Sequence, residues 1–328
     1  MKQLQQSILF TAGLIGIVLF CAALWSRMDP VYPDIKFRMQ NLLRQANEIE
    51  AVAAGNSHCK AIDFDALGER GYHIWLGGND VFETELHLKT LIPRLPKVRT
   101  VYYAVSFHTF VADNRAATIL DRKSKRVEAY AYLPGWKWIP GDFQSFVKAR
   151  LINLIRPDHG YTTLLRLLGQ QPRPAKESNP RDGSRNRDRQ FKGFRNINVL
   201  IERAEKARIV EHAKLMNDML QNCPGLPEDT YACLERTIRF LQAQDIRPVF
   251  FTPPYFFRYT ELADRNMVET FRRNMKALAR KHNVEYYDFS ANPDFVFETK
   301  YFMDEDHLNR RHGAPAFSKQ LRERMNCR

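Results

Sequence analysis

No Cys-x-x-Cys pair occurs in the chain, and its nine histidines are scattered. That pattern excludes a structural zinc site of the usual closely spaced kind, and no metal or organic cofactor is expected. Acidic residues are in the minority: 37 Asp and Glu against 50 Lys and Arg give a formal net charge of +13. Such a balance suits nucleic acid. The charge is spread out, however, and helix-turn-helix, zinc-finger and RNA-binding signatures are all lacking, so no nucleic-acid partner is expected. A basic surface near an anionic membrane or an acidic polymer fits the charge equally well.

Charge is missing altogether from Ser7 to Trp25, a run rich in Leu, Ile, Val, Phe and Ala. Crossing a bilayer takes about 20 such residues, so the run is long enough to span. Lys2 precedes it, and a short basic N-terminus stays in the cytoplasm by the usual charge rule. Trp25 sits awkwardly for signal-peptide cleavage and Phe20, before Cys21, for a lipoprotein site. The expectation is an uncleaved single-pass anchor in the inner or plasma membrane (1–27), a polar stalk (28–47) and an extracytoplasmic, periplasmic domain (48–328). Apolar residues are scarce from Gln170 to Arg195, which reads as an exposed, mobile basic loop inside a longer insertion at about 111–198.

What is present argues for a large core: 44% hydrophobic residues and 22 Phe exclude a disordered chain. From Glu48 onward strand and helix patterns alternate. Strands are expected at Glu48–Ala54, Tyr72–Leu76, Val98–Val105, Pro248–Phe251 and Val284–Phe289. Helices are expected at Ala61–Arg70, Val81–Ile92, Pro227–Gln244, Asn266–His282 and Gly313–Met325. Alternation of this kind specifies an α/β fold with a parallel sheet covered on both faces. Cys223 and Cys233 flank a Pro-Gly-Leu-Pro turn and are candidates for a local disulfide in an oxidising compartment; two unpaired thiols at helix ends are the alternative.

Two segments carry chemistry. Gly55-Asn56-Ser57-His58 places a serine on a turn after the first strand, and Asp304-Glu305-Asp306-His307-Leu308-Asn309 places a carboxylate three residues before a histidine near the C-terminus. A serine becomes a nucleophile when a base takes its proton, and a carboxylate fixes the tautomer of that base and stabilises its cation. Both segments follow strands, and ligands in parallel sheets sit beyond the carboxyl ends of the strands. His58 is a second candidate base, but adjacent side chains seldom reach each other productively, so His307 is preferred.

These segments resemble the SGNH/GDSL hydrolase superfamily, whose serine follows the first strand and whose Asp-x-x-His lies near the C-terminus. More narrowly, Gly-Asn-Ser-His, the N-terminal anchor and Asp-x-x-His-Leu-Asn before Gly313-Ala314 resemble a membrane-anchored branch whose members assist membrane-bound O-acyltransferases in modifying envelope polymers. One extra residue before Gly313 departs from that pattern. The resemblance implies a flavodoxin-like three-layer parallel sheet, with Ser57 as nucleophile, His307 as general base and Asp304, rather than Asp306, as its orienter. It implies an oxyanion hole from the Ser57 N–H, Gly77 or Gly78 after the second strand, and an Asn after the third. No Asn follows the third strand: Asn79 supplies the donor from an unusual place, or Ser106 or His108 replaces it, or only backbone donors remain. The activity implied is a serine O-acylesterase or O-acyltransferase acting on an acylated envelope carbohydrate or exported polysaccharide, with an O-acyltransferase as partner. The alternative is a weak or inactive relative that binds carbohydrate or assists assembly.

Overall fold

The computed structural model describes residues 41–74, 79–110 and 227–327, with isolated positions within 3–20 and 209–217. The chain divides into two compact units, Met1–Asn41 with Asn114–Glu177 and Leu42–Asp113 with Ser178–Arg328; the sheet lies in the second. Of the expected anchor only isolated helical positions within 3–20 are described, and most of the stalk and all of the insertion lie outside the described residues. Among the described residues no helix is long and apolar enough to cross a membrane.

The core is a five-stranded, all-parallel sheet: β1 (Ala51–Gly55), β2 (Gly71–Ile74), β3 (Thr100–Ala104), β4 (Arg247–Thr252) and β5 (Glu285–Asp288), in the order β2-β1-β3-β4-β5. The fold is α/β. Every residue of β1 and β3 is buried, which is why these strands read as continuous apolar runs rather than alternating ones. The chain runs from β1 outward to β2, then crosses back to β3 on the other side of β1. That reversal opens a crevice between the carboxyl ends of β1 and β3.

Neighbouring strand residues point to opposite faces, and β4 shows how each is covered. Phe250 stacks on Tyr103 of β3. Phe251, one residue on, meets Phe317. Burying aromatic side chains of this size contributes roughly 2–3 kcal/mol each. The Tyr103 face is packed by α2 (Val81–Leu91) and α3 (Pro227–Gln242), following the short α1 (Phe64–Leu67). The Phe251 face is packed by the C-terminal helix, which also contacts α1.

Two connections beyond β4 were not anticipated from periodicity. A six-residue helix, α4 (Phe257–Leu262), precedes α5 (Arg265–His282), and a single turn, α6 (Pro293–Val296), follows β5; α7 (Gly313–Asn326) closes the chain. Local signals fix the longer helices. Asp80 and Glu83 form a reciprocal capping box at the start of α2, Asp264 caps α5, and Asn283 ends α5 in the left-handed conformation with φ 51°.

One expectation needs correcting. Cys233 is a buried, free thiol on α3, so it forms no disulfide with Cys223. Its Sγ donates to the Glu85 carboxylate of α2, which also holds Arg236 and Lys89. The helix face that carries Cys233 turns inward against α2.

Candidate active site

The serine turn is dictated by backbone. Gly55 ends β1 with φ +113°, and a Cβ there would sit 2.5 Å from the Ala104 carbonyl oxygen of β3. Only glycine lets β1 stay in register to its last residue and then turn. Asn56 accepts the His58 N–H through Oδ1 at 3.0 Å and donates from Nδ2 to Ser106 Oγ at 2.7 Å. Its two amide ends thus tie the turn to the end of β3. Ser57 opens a five-residue 3-10 helix, Ser57–Ala61, and the helix expected at Ala61–Arg70 is the shorter α1, Phe64–Leu67. Asn56 takes the His58 N–H through its side chain and the Cys59 N–H through its carbonyl, which leaves the Ser57 N–H as the donor at this end of the helix.

The histidine comes from a loop held by side chains. Phe302 and Leu308 form an isolated antiparallel bridge, and Met303 N donates to the His307 carbonyl. Asp304 Oδ1 accepts from His307 N at 2.8 Å and Asp306 N at 3.2 Å, shaping the turn. Asn309 donates to the carbonyls of Lys300 and Phe302 and accepts from His312 N. Gly313 is required where a Cβ would lie 2.1 Å from the Tyr301 carbonyl oxygen. Phe256 N donates to the Glu305 carbonyl, fastening the loop to the segment after β4. The Leu308-Asn309…Gly313 part of the sequence motif is therefore structural.

These two segments meet. Ser57 Oγ lies 2.6 Å from His307 Nε2 across 250 positions of sequence. On the other side of the ring, Nδ1 faces two carboxylates, Asp304 Oδ1 at 2.9 Å and Asp306 Oδ1 at 2.7 Å. Ionised carboxylates only accept, so Nδ1 carries the proton of the neutral ring and Nε2 accepts from the serine hydroxyl. Burial disfavours the His307 cation, but the charges and hydrogen bonds of Asp306 and Asp304 outweigh it and raise its pKa to about 10. Burial alone would raise Asp306 as well; His307 and His58 together hold it well below the usual carboxylate range.

His58 does not approach the serine as a base. Its Nε2 sits 3.2 Å from Asp306 Oδ2, and its ring lies 4.8 Å from that of His307. Burial lowers its pKa, outweighing the pull of Asp306, and keeps the ring neutral. His58, Asp306 and His307 form the one group among the described residues close enough to hold a metal ion. The atoms that would ligate it are the atoms already bonded to one another in the chain Ser57–His307–Asp306–His58.

The remaining candidates are placed differently. Gly77, Gly78 and the side chain of His108 lie outside the described residues. Asn79 is buried, with its amide nitrogen 3.1 Å from His87 Nδ1 of α2. Ser106 is fully buried and does not line the cleft at Ser57; its hydroxyl anchors Asn56, which corrects its expected role as an oxyanion donor. Asn56 was missed by sequence reasoning, although an Asn before a serine turn is a recognisable capping signal. Ser57, His58, Lys60, Pro253, His307 and Arg310 are among the residues lining the cleft, whose free space is about 10 Å³, that of a single water. Lys60 and Arg310 make its rim basic. Compared with known proteins, the chain matches no family model and no curated protein.

Proposed function

We propose that this protein is a serine O-acylesterase or O-acyltransferase of the SGNH type, anchored in the membrane and acting outside the cytoplasm on acylated envelope carbohydrate. The observation that carries the reading is the 2.6 Å contact of Ser57 Oγ with His307 Nε2, with carboxylates on the opposite ring nitrogen. In the reaction, Ser57 Oγ attacks the ester carbonyl carbon while its proton passes to His307 Nε2. The tetrahedral oxyanion collapses, the bond to the sugar oxygen breaks, and Nε2 returns the proton to that oxygen. Water or a second sugar hydroxyl then attacks the acyl-serine by the same route, regenerating the hydroxyl.

The strand order and the switch-point position of Ser57 suit the flavodoxin-like version of the α/β fold that the resemblance implies. The small cleft favours a short acyl group such as acetyl, and its basic rim, Lys60 and Arg310, favours an anionic polymer. A carbohydrate-binding role without turnover is the second reading, favoured by the burial of Asn79 and Ser106, which leaves the Ser57 backbone N–H as the donor in view among the described residues. Losing one oxyanion donor costs on the order of 100- to 1000-fold in rate.

The test is covalent labelling of the full-length chain by a fluorophosphonate, together with turnover of acetyl and butyryl esters. Labelling confined to Ser57, with turnover lost in Ser57→Ala, supports catalysis. An unlabelled wild-type protein that still binds polymer supports the second reading.

A further inference from the structure

The sequence motif pairs His307 with Asp304, but the geometry points to Asp306 as the carboxylate that balances the His307 cation, and to His58 as the positioning residue that holds Asp306 in place. The inference rests on the proposed Ser57–His307 chemistry and assigns roles within it.

Four observations separate the two aspartates. Asp306 Oδ1 is nearer to Nδ1, 2.7 Å against 2.9 Å. Its side chain is 5% exposed against 20% for Asp304, so its field on the ring is less screened by water. The Asp304 oxygen that faces the ring already accepts two backbone N–H groups, an arrangement typical of a residue that builds a turn. Asp306, in contrast, directs both oxygens at imidazoles: Oδ1 at His307 and Oδ2 at His58.

His58 suits a positioning role. Being neutral, it donates Nε2–H to Asp306 without adding a positive charge that would weaken the His307 cation. It is fixed from two sides, by the Asn56 turn through its backbone N–H and by an edge-on contact with Tyr255 at 5.4 Å between ring centroids. The residue after the nucleophile thus controls the base from behind, and the serine turn and histidine loop are joined twice, through Ser57–His307 and through His58–Asp306. Besides His307, the titratable and charged groups around Asp306 among the described residues include His58 and Lys60 from the serine turn, Asp304 and Arg310 from its own loop, and Tyr255 and Tyr259 from the segment after β4. Both tyrosines are held neutral by burial across the working pH range. The titration near Asp306 is therefore that of His307.

The experiment reads the His307 ring directly. Full-length chain labelled with ¹⁵N-histidine is titrated by NMR as wild type, Asp306→Asn, Asp304→Asn, His58→Leu and His58→Gln. The same proteins are then labelled by fluorophosphonate as a function of pH. The expected result is that Asp306→Asn lowers the His307 pKa by one unit or more, and by more than Asp304→Asn does. The high-pH labelling rate should fall at least tenfold in Asp306→Asn. His58→Leu should slow that rate by about tenfold, the scale of one hydrogen bond to a charged group, and His58→Gln, which keeps a donor, should restore most of it. A larger pKa drop in Asp304→Asn than in Asp306→Asn overturns the assignment, as does an unchanged rate in His58→Leu. The NMR titration decides even if Ser57 proves unreactive, so failure of the catalytic reading and failure of this assignment are told apart.

Discussion

The serine turn and the histidine loop bring their reactive atoms within 2.6 Å of each other, yet they are built by different means. The turn grows out of the sheet: Gly55 is the last paired residue of β1, and its geometry follows from the close approach of β3. The loop stands outside the sheet and is stitched together by Asp304, Asn309 and one two-residue bridge. A backbone-determined segment fails together with the fold. A side-chain-determined segment can lose its shape while the sheet survives. The nucleophile is thus as robust as the core, and its base is only as robust as a few hydrogen bonds.

That contrast is broken most severely at Gly55. Gly55→Ala combines a disallowed φ with a clash against Ala104, and should cost about 3 kcal/mol or more. Thermal unfolding of the full chain checks it, and a variant as stable as wild type would remove the backbone argument. The next effect is on pH dependence. With the His307 pKa raised to about 10, the ring is protonated at neutral pH and the form that accepts the Ser57 proton is scarce. Ser57 labelling should rise about tenfold per pH unit from neutrality upward and level off only near that pKa. A plateau already reached at pH 7 would show that the carboxylates do not raise the base.

Asn309→Ala tests the loop alone. Losing its donors to Lys300 and Phe302 and its acceptor for His312 should cost about 2 kcal/mol, with Ser57 labelling slowed at least tenfold while the β-sheet signal in circular dichroism is kept. Equal losses in both measurements would mean that loop and sheet fail as one. The smallest effect belongs to Asp264→Ala, which removes the N-cap of α5. It should lower stability by about 1 kcal/mol and leave labelling per folded molecule unchanged, since the cap lies outside both segments.

The alternation of strands and helices was legible because β1, β3 and most of β4 are buried and apolar, so periodicity and burial agree there; β5, half-buried and carrying Glu285 and Asp288 at its ends, was legible from its aromatic and β-branched neighbours alone. Ser57 and His307 were legible for the same reason: both follow features that topology places at one edge. The choice between Asp304 and Asp306 was not. Two residues apart on an irregular loop, both face the ring, and how near and how shielded each one is depends on where Phe302 pairs with Leu308 and what lies behind each carboxylate. His58 was judged by its adjacency to the serine, although its partner lies 248 positions away. Cys233 was judged by the turn that follows Cys223, although its helix face already carried the inward stripe of Leu234, Ile238 and Leu241.

The cleft at Ser57 leaves space for about one water between the serine turn, Ser57 to Ala61, and the histidine loop, Met303 to Arg310. Among the described residues, a site of that depth offers nothing with which to measure the ends of a chain. On a polymer it would meet only the group hanging from the backbone, and every repeat along the strand would look alike to it. Selectivity would then come from how the strand is delivered rather than from how it is gripped.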